Sequence, residues 1–239
     1  MARCPGQDQR FWKPEDIFEV NCPECGGLIE FWKDEPKLKC PKCGKLAVNP
    51  KLDLGCAEWC RYAKECLGIS LSHQSNILCN RLIEEMKNIF GKDRKRINHA
   101  LEVLKYAEQI LTEEKADPLV VKAAAILHDI GIHEAEKKHG STEAKFQEIE
   151  GPPIAKKILV KYAIEVGLIE HICQIIANHH SAKGLDTPEF RIIWDADWLV
   201  NLGEKFAQSK PEKEKIKELI DNTFKTEKGR QLALKKFAE

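Results

Sequence analysis

The chain has 239 residues, with 38 Lys+Arg set against 38 Asp+Glu and 43% hydrophobic residues. Zero net charge gives no overall bias toward a polyanionic partner, and the apolar content suits one large domain or a small one joined to a medium one. No apolar run approaches the roughly 18–20 residues that span a bilayer, and the opening MARCPGQDQRFWKPEDIFEV lacks the apolar centre of a secretory signal. No membrane association and a cytoplasmic location are therefore expected.

Residues 1–20 read as a lead-in with little structure of its own, although Phe11, Trp12, Ile17 and Phe18 could pack on the cysteine-bearing segment after it. Residues 21–50 then carry Cys22-Pro-Glu-Cys25 and Cys40-Pro-Lys-Cys43, separated by 14 residues and each followed by a glycine, Gly26 or Gly44. Paired CxxC knuckles without a secretion signal favour metal ligation over disulfides. LIEFW (Leu28–Trp32) and LKC (Leu38–Cys40) read as two short strands around a turn at Asp34–Pro36. A hairpin that small cannot hold itself by apolar burial, and zinc on four thiolates would supply what is missing. A zinc ribbon is expected here. Residues 51–75 form a cysteine-rich connector in which Cys56, Cys60 and Cys66 could build a second centre, zinc or an iron–sulfur cluster, with a fourth ligand from His73, Cys79 or Cys4. The same three thiols could equally be small buried residues. Residues 1–75 hold 11 Lys+Arg and 11 Asp+Glu, so the basic footprint of a nucleic-acid module is missing.

From Ser75 onward the pattern is helical. Ser75 and Asn76 can cap a helix that ends at Gly91, and Asp93 leads a second helix with Ile97, Leu101, Leu104 and Ile110 on one face and His99 beside it. Asp117-Pro118 opens AAAILHDIGIHE (Ala123–Glu134), an apolar helix with His128 and Asp129 at its end and Gly131 as a left-handed stop. An ionisable pair at the end of such a helix needs compensation, either from a divalent metal or from a helix cap and a surface ion pair. His133 and His139 fall in a polar stretch and read as solvent-facing. A break at Gly151-Pro152-Pro153 starts the next helix, with Glu150 just before it, where its charge would favour the helix dipole. Ile169, Ile172, Ile175 and Ile176 then form an apolar face that arrives at His179 and His180. Thr187-Pro188 opens a helix bearing Asp195 and Asp197, of which at most one can face a common site. Residues 206–239, rich in lysine and glutamate, read as covering helices.

The ordered set His99, His128-Asp129, His179-His180 and Asp197 resembles the HD-domain superfamily of metal-dependent phosphohydrolases, whose ligand pattern is H…HD…D on an all-α scaffold. The resemblance spans roughly residues 76–205 and rests on NHALEV, AAAILHDIG, IIANHH and WDADWLVN. It implies a mainly α fold, an all-helical HD domain behind a small zinc-ribbon module. It also implies a divalent metal (Mn, Co, Ni, Mg, Fe or Zn) on His99, His128, Asp129 and Asp197. Asp197 is preferred to Asp195 because the family's last aspartate usually follows an alanine and precedes a hydrophobic residue and leucine. Asp195 is then a group behind the ligands or at the surface. Some members hold two metals, using a histidine ahead of an IAxxIL-like helix with an HH pair. Glu150 stands in what looks like that histidine position, so Glu150, His179 and His180 could complete a second site, or the site could be mononuclear.

The implied reaction is hydrolysis of a phosphomonoester or phosphodiester by metal-activated water, with a nucleotide as substrate by analogy. Asp129 would accept the water's proton, while His179, His180, Lys183 and Arg96 hold the phosphate. The alternatives are a non-catalytic nucleotide- or redox-sensing HD module and a di-iron oxygenase-type HD protein. The oligomeric state is open.

Overall fold

The computed structural model describes residues 13–33, 35, 37–49, 71–162, 164–182, 184–209 and 211–238, with backbone alone at 48 and 71–77. The chain is mainly helical, and it divides into two compact units, Met1–Gln74 and Ser75–Glu239. Among the described residues, no helix is long and apolar enough to cross a membrane.

The first unit is built from two antiparallel hairpins. Strand β1 (Ile17–Asn21) pairs with β2 (Leu28–Trp32) in a register that sets Ile17 opposite Trp32 and Asn21 opposite Leu28. Strand β3 (Lys37–Lys39) pairs with β4 (Leu46–Val48). This corrects the expectation of a single hairpin joining LIEFW to LKC, and it brings residues 17–20 of the supposed lead-in into a strand. The reason lies in the knuckles, because each CPxCG is itself the turn of a hairpin. Cys22 N–H donates to Gly27 O and Gly26 N–H to Cys22 O, and Cys40 with Lys45 and Gly44 repeats the pattern. Gly26 and Gly44 take φ of 69° and 72°, which a side chain would resist. The alternating inner face buries Ile29, Phe31 and Ala47 with Cys22 and Cys40. Buried Asn49 donates to Trp32 O and Glu35 O and so joins the second hairpin to the first. The expected turn residues Asp34 and Pro36 lie outside the described residues, as do Cys56, Cys60 and Cys66.

The second unit is helical: α1 (Leu71–Phe90), α2 (Arg94–Leu111), α3 (Pro118–Leu127), α4 (Ile132–His139), α5 (Ala144–Leu159), α6 (Val166–Ile176), α7 (Pro188–Gln208), α8 (Lys213–Thr223) and α9 (Glu227–Phe237). Helix α1 begins before Ser75 and Asn76, so these two are not its caps. Helices α2, α3 and α7 start as their sequences predict. Asp93 accepts from Arg96 N–H, Asp117 from Leu119 N–H and Thr187 from Phe190 N–H. Val120, Val121 and every residue from Ala123 to Leu127 are buried, so α3 is the central helix, packed on α2, α6 and α7. Cys79 is buried in this helical core, where burial pushes its thiol up to about 11.

Helix α5 departs most from the sequence pattern. It runs unbroken through Gly151, Pro152 and Pro153, so Glu150 sits inside a helix and not ahead of one. The two prolines forfeit two helical hydrogen bonds. Burial of Gly151, Ala155, Ile158 and Leu159 along the same helix outweighs that loss. Gly167 lies in the first turn of α6. The C-terminal helices cover the core and also contribute to it, through Ile216, Ile220, Ala233 and Phe237.

Candidate functional site

Four elements of the helical unit deliver side chains to one buried point. His99 comes from the middle of α2, and His128 and Asp129 from the turn that ends α3. His179 and His180 come from the turn after α6, and Asp197 from the middle of α7. His99 Nε2 lies 3.2 Å from His128 Nε2 and 3.0 Å from Asp197 Oδ1. Asp129 Oδ2 is 3.7 Å from His99 Nε2 and 3.6 Å from His128 Nε2, and His128 Nε2 is 3.8 Å from Asp197 Oδ1. Metal–ligand bonds of about 2.1 Å put neighbouring ligand atoms about 3.0 Å apart in an octahedron and about 3.4 Å apart in a tetrahedron. The atoms of His99, His128 and Asp197 lie close enough together to hold one cation, with Asp129 Oδ2 beside both imidazoles.

The other oxygen of Asp129 faces a second group. Oδ1 is 3.5 Å from His179 Nε2 and 4.0 Å from His180 Nε2. Two sets of donors, His99/His128/Asp197 and Asp129/His179/His180, could therefore each hold a metal ion, with Asp129 between them. His128 and His179 donate Nδ1–H to the carbonyls of Ala125 and Ile176, at 2.8 and 2.7 Å. That leaves each Nε2 as the nitrogen aimed into the site. His179 Nε2 is buried and makes no hydrogen bond, which a buried polar atom tolerates poorly unless a ligand comes to it.

The electrostatics agree with a cation site. Burial opposes charge on Asp129, yet the imidazoles of His128, His179 and His99 outweigh it and hold this carboxyl far below the usual carboxylate range. Asp197 is kept low in the same way, burial yielding to the contact with His99 and to the field of His128. Burial depresses His128, and it takes His180 down to about 4 with help from neighbouring His179. His99 and His179 resist that trend because their carboxylate neighbours raise them. Two ionised carboxylates among buried imidazoles satisfy the chemistry of a divalent ion, whose charge offsets theirs.

The remaining predicted residues divide. Glu150 does not join either group. Its oxygens accept from Lys138 Nζ at 2.7 Å and His139 Nε2 at 3.0 Å, and these partners hold its carboxyl low. The α5 side chain that reaches the site is Gln147, one turn earlier, whose Oε1 lies 3.4 Å from His180 Nε2. Arg96 stands in the first turn of α2, one turn before His99. Lys183 lies outside the described residues. Asp195 is neither a surface group nor behind the ligands. It is fully buried and accepts from Lys225 N–H, Thr226 N–H and Thr226 Oγ1–H, fixing the start of α9, while burial pushes it up to about 6. Asp195→Ala strands these donors and should cost about 2–4 kcal/mol of stability. In thermal melts the variant should unfold well below the parent while still binding metal.

Sequence reasoning misses Gln147 and Glu148. They lie in a polar stretch, and periodicity cannot distinguish a buried carboxylate from a solvated one. Glu148 is nonetheless buried, and it accepts from the turn bearing His179 and His180.

In the first unit Cys22 Sγ is 3.7 Å from Cys43 Sγ, and Cys25 Sγ is 3.6 Å from Cys40 Sγ. A disulfide would need about 2.05 Å. Four thiolates at about 2.3 Å from a tetrahedral ion would stand about 3.8 Å apart. Amides of the second knuckle, that of Cys43 first, lower Cys40 to about 7. Against the amide of Lys45, burial and the neighbouring thiols Cys25, Cys40 and Cys22 push Cys43 up to about 12, the mutual repulsion that a cation among four thiolates would relieve.

The family model for the HD domain matches residues 96–202, a span that begins three residues before His99 and ends five beyond Asp197. A crystal structure of a predicted HD superfamily hydrolase from an uncultured Thermotogales bacterium matches with a TM-score of 0.51 at 21% identity. That match covers 66% of this chain and 84% of the other. Among curated proteins nothing matches the chain. The convergent histidines and aspartates, the helical scaffold and the matched span agree, and the chain carries an HD domain over residues 96–202, preceded by a four-cysteine cluster.

Proposed function

We propose that the helical unit is a metal-dependent phosphohydrolase that cleaves a phosphomonoester or phosphodiester, with a nucleotide as the substrate class. The observation that supports this most is the pair of buried carboxylates and three inward-facing imidazoles, flanked by the partly exposed His180. Side chains of His99, His128, Asp129, His179 and Asp197 are at most 8% exposed, whereas His180 is 28% exposed and marks the approach. The hydrolase named in the similar Thermotogales structure points the same way.

His99, His128, Asp129 and Asp197 would hold a divalent ion of the Mn, Co, Ni, Mg, Fe or Zn group. Bound there, it would acidify a water and draw charge from a phosphoryl oxygen. Asp129 accepts the proton of the attacking water. His179 and His180, beside Asp129 Oδ1, face the phosphoryl group, His180 from the solvent side. Arg96 and Lys183 are proposed to bind its outer oxygens. Cys22, Cys25, Cys40 and Cys43 hold zinc with a structural role, and Cys56, Cys60 and Cys66 are proposed as a second zinc or iron–sulfur centre. The free thiols in the knuckles suit a cytoplasmic protein.

The test is phosphate or nucleotide release from a panel of phosphomonoesters, nucleotides and cyclic dinucleotides, with metal-stripped and metal-loaded protein side by side. Metal-dependent release is expected from at least one class. Silence from protein shown to carry metal on the helical unit would overturn hydrolysis in favour of a sensing role. Oxygen consumption by iron-loaded protein would point to the oxygenase chemistry. For the cysteine cluster, Cys43→Ser should lower bound zinc by one ion per chain, read with a chromogenic chelator after denaturation. Structural zinc contributes about 10–16 kcal/mol of binding free energy in small modules. The β-sheet signal should therefore disappear with the ion.

A further inference from the structure

The turn bearing His179 and His180 follows the C-terminus of α6, a place where a carboxylate is ordinarily unfavourable because the helix dipole is negative there. Glu148 of α5 is nonetheless buried against it, 7% exposed. Its Oε1 accepts the backbone N–H of His180 at 3.1 Å and of Ser181 at 2.8 Å, and its Oε2 accepts Ser181 Oγ–H at 3.0 Å. One residue further on, Ala182 takes φ of 50°, a left-handed conformation that an alanine adopts only where surrounding contacts over-determine it. Gln147, the neighbour of Glu148, reaches His180 Nε2, and its own Nε2 donates to Thr142 O. The chain beyond α6 is thus held from α5 by three hydrogen bonds to one carboxylate, with the ring of His180 contacted separately.

We infer that Glu148 is a positioning residue: it clamps the 179–181 turn so that His179 and His180 keep their Nε2 atoms on Asp129 Oδ1. This rests on the functional reading above, in which that pair faces the phosphoryl group. Glu148 itself touches neither substrate nor metal. Toward the two amides and the hydroxyl it supplies acceptors of the right shape. Glutamine keeps such an acceptor on Oε1, and its amide nitrogen can donate to the Ser181 hydroxyl where the carboxylate accepted from it.

The experiment uses the full chain loaded with Mg²⁺ and compares Glu148→Ala, Glu148→Gln, His179→Ala and His180→Ala. One readout is the imidazole ¹H–¹⁵N spectrum, in which the histidine variants assign the two signals and His171 serves as a distant reference. The other is turnover of whichever phosphoester the panel identifies. Glu148→Ala should shift or broaden the His179 and His180 signals, leave that of His171 in place, and lower kcat about 10–100-fold. Glu148→Gln should restore both signals and bring kcat to within about threefold of the parent. A folding defect in the alanine variant would show in its melt, and the glutamine variant still decides the matter.

Unmoved signals with full turnover in Glu148→Ala would overturn the proposal, and so would a glutamine variant as impaired as the alanine one. If His179→Ala and His180→Ala both turn over normally, the functional reading of the pair falls. If they are impaired while Glu148→Ala is not, only the role of Glu148 falls.

Discussion

Replacing Asp129 with alanine is expected to abolish metal-dependent turnover, by at least about 10³-fold, and to remove the metal-induced rise in melting temperature. Among the described residues, Asp129 is the one side chain with an oxygen toward each donor set, Oδ2 toward His99 and His128 and Oδ1 toward His179 and His180. Its loss deprives the cation of a charged ligand and the attacking water of its proton acceptor at once. A loss of 10³ in rate corresponds to about 4 kcal/mol of transition-state stabilisation, a reasonable sum for two functions held by one carboxylate. Asp129→Asn keeps one neutral oxygen but turns an amide nitrogen toward one of the two groups, so it should recover shape without recovering rate. The thermal readout is independent of substrate. An ion at 100 times its dissociation constant stabilises the folded protein by about 2.7 kcal/mol, and the variant should forfeit that shift. An Asp129→Ala protein that melts higher with Mn²⁺ to the same extent as the parent, and turns over substrate, would refute the assignment.

The parts of this site that are legible in the sequence are those where an ionisable residue interrupts an apolar pattern. His99 beside a helical stripe, His128 and Asp129 at the end of a largely buried helix, and Asp197 among Ile193, Trp194, Trp198 and Leu199 are each costly without a shared purpose. Their convergence to within 3–4 Å explains why the pattern carries them. The residues that support the site leave no such mark. Glu148 and Asp195 are as buried as the metal-facing groups, yet each is satisfied by backbone amides from segments far away in sequence, His180 and Ser181 for one, Lys225 and Thr226 for the other. Local pattern holds no information about such partners. Glu150 shows the converse error. A carboxylate near a family position invites a role as ligand, but Lys138 and His139 one helix away already occupy it. The first hairpin is hidden in the sequence because a knuckle reads as a metal loop between elements, whereas its Cys22–Gly27 and Cys40–Lys45 hydrogen bonds make it the turn of each hairpin.

Gly131→Ala is expected to be the most damaging single methyl that can be added near the site. The sequence suggests a left-handed helix stop at Gly131, but its φ is −80°, a conformation open to any residue. Its lack of a side chain matters for a different reason. A Cβ there would lie 2.4 Å from Gly151 N, 2.7 Å from Gly151 Cα and 2.9 Å from Gln147 O. All three are backbone atoms of α5, so no side-chain rotation relieves the overlap, and the helix must move away by roughly 1 Å to reach ordinary contact. Overpacking of this kind costs about 1–3 kcal/mol when side chains can yield, and backbone against backbone belongs at or above the upper end. The displaced helix carries Gln147 and Glu148, and the residue that displaces it stands two positions after Asp129. A misplacement of about 1 Å in a catalytic group costs about 10²-fold in rate.

Two other glycines calibrate the expectation. Gly140→Ala meets no atom within 4 Å but must hold φ at 66°, a local strain of about 1–2 kcal/mol far from the chemistry. Gly151→Ala meets Ile176 Cγ2, a methyl on the branched Cβ of a fully buried side chain at the end of α6, so that residue must shift. Up to about 1 kcal/mol of helix propensity only partly offsets an overpacking cost of about 1–3 kcal/mol. Melting temperature and kcat measured on the three variants should therefore separate. Gly140→Ala and Gly151→Ala should each lose some stability with turnover largely kept, while Gly131→Ala, which meets backbone alone, should lose both and to the greatest extent. A Gly131→Ala protein that melts with the parent and keeps its turnover would mean that α5 can slide freely past the His128–Asp129 turn. The close backbone approach would then not be what holds the two sides of the site in register.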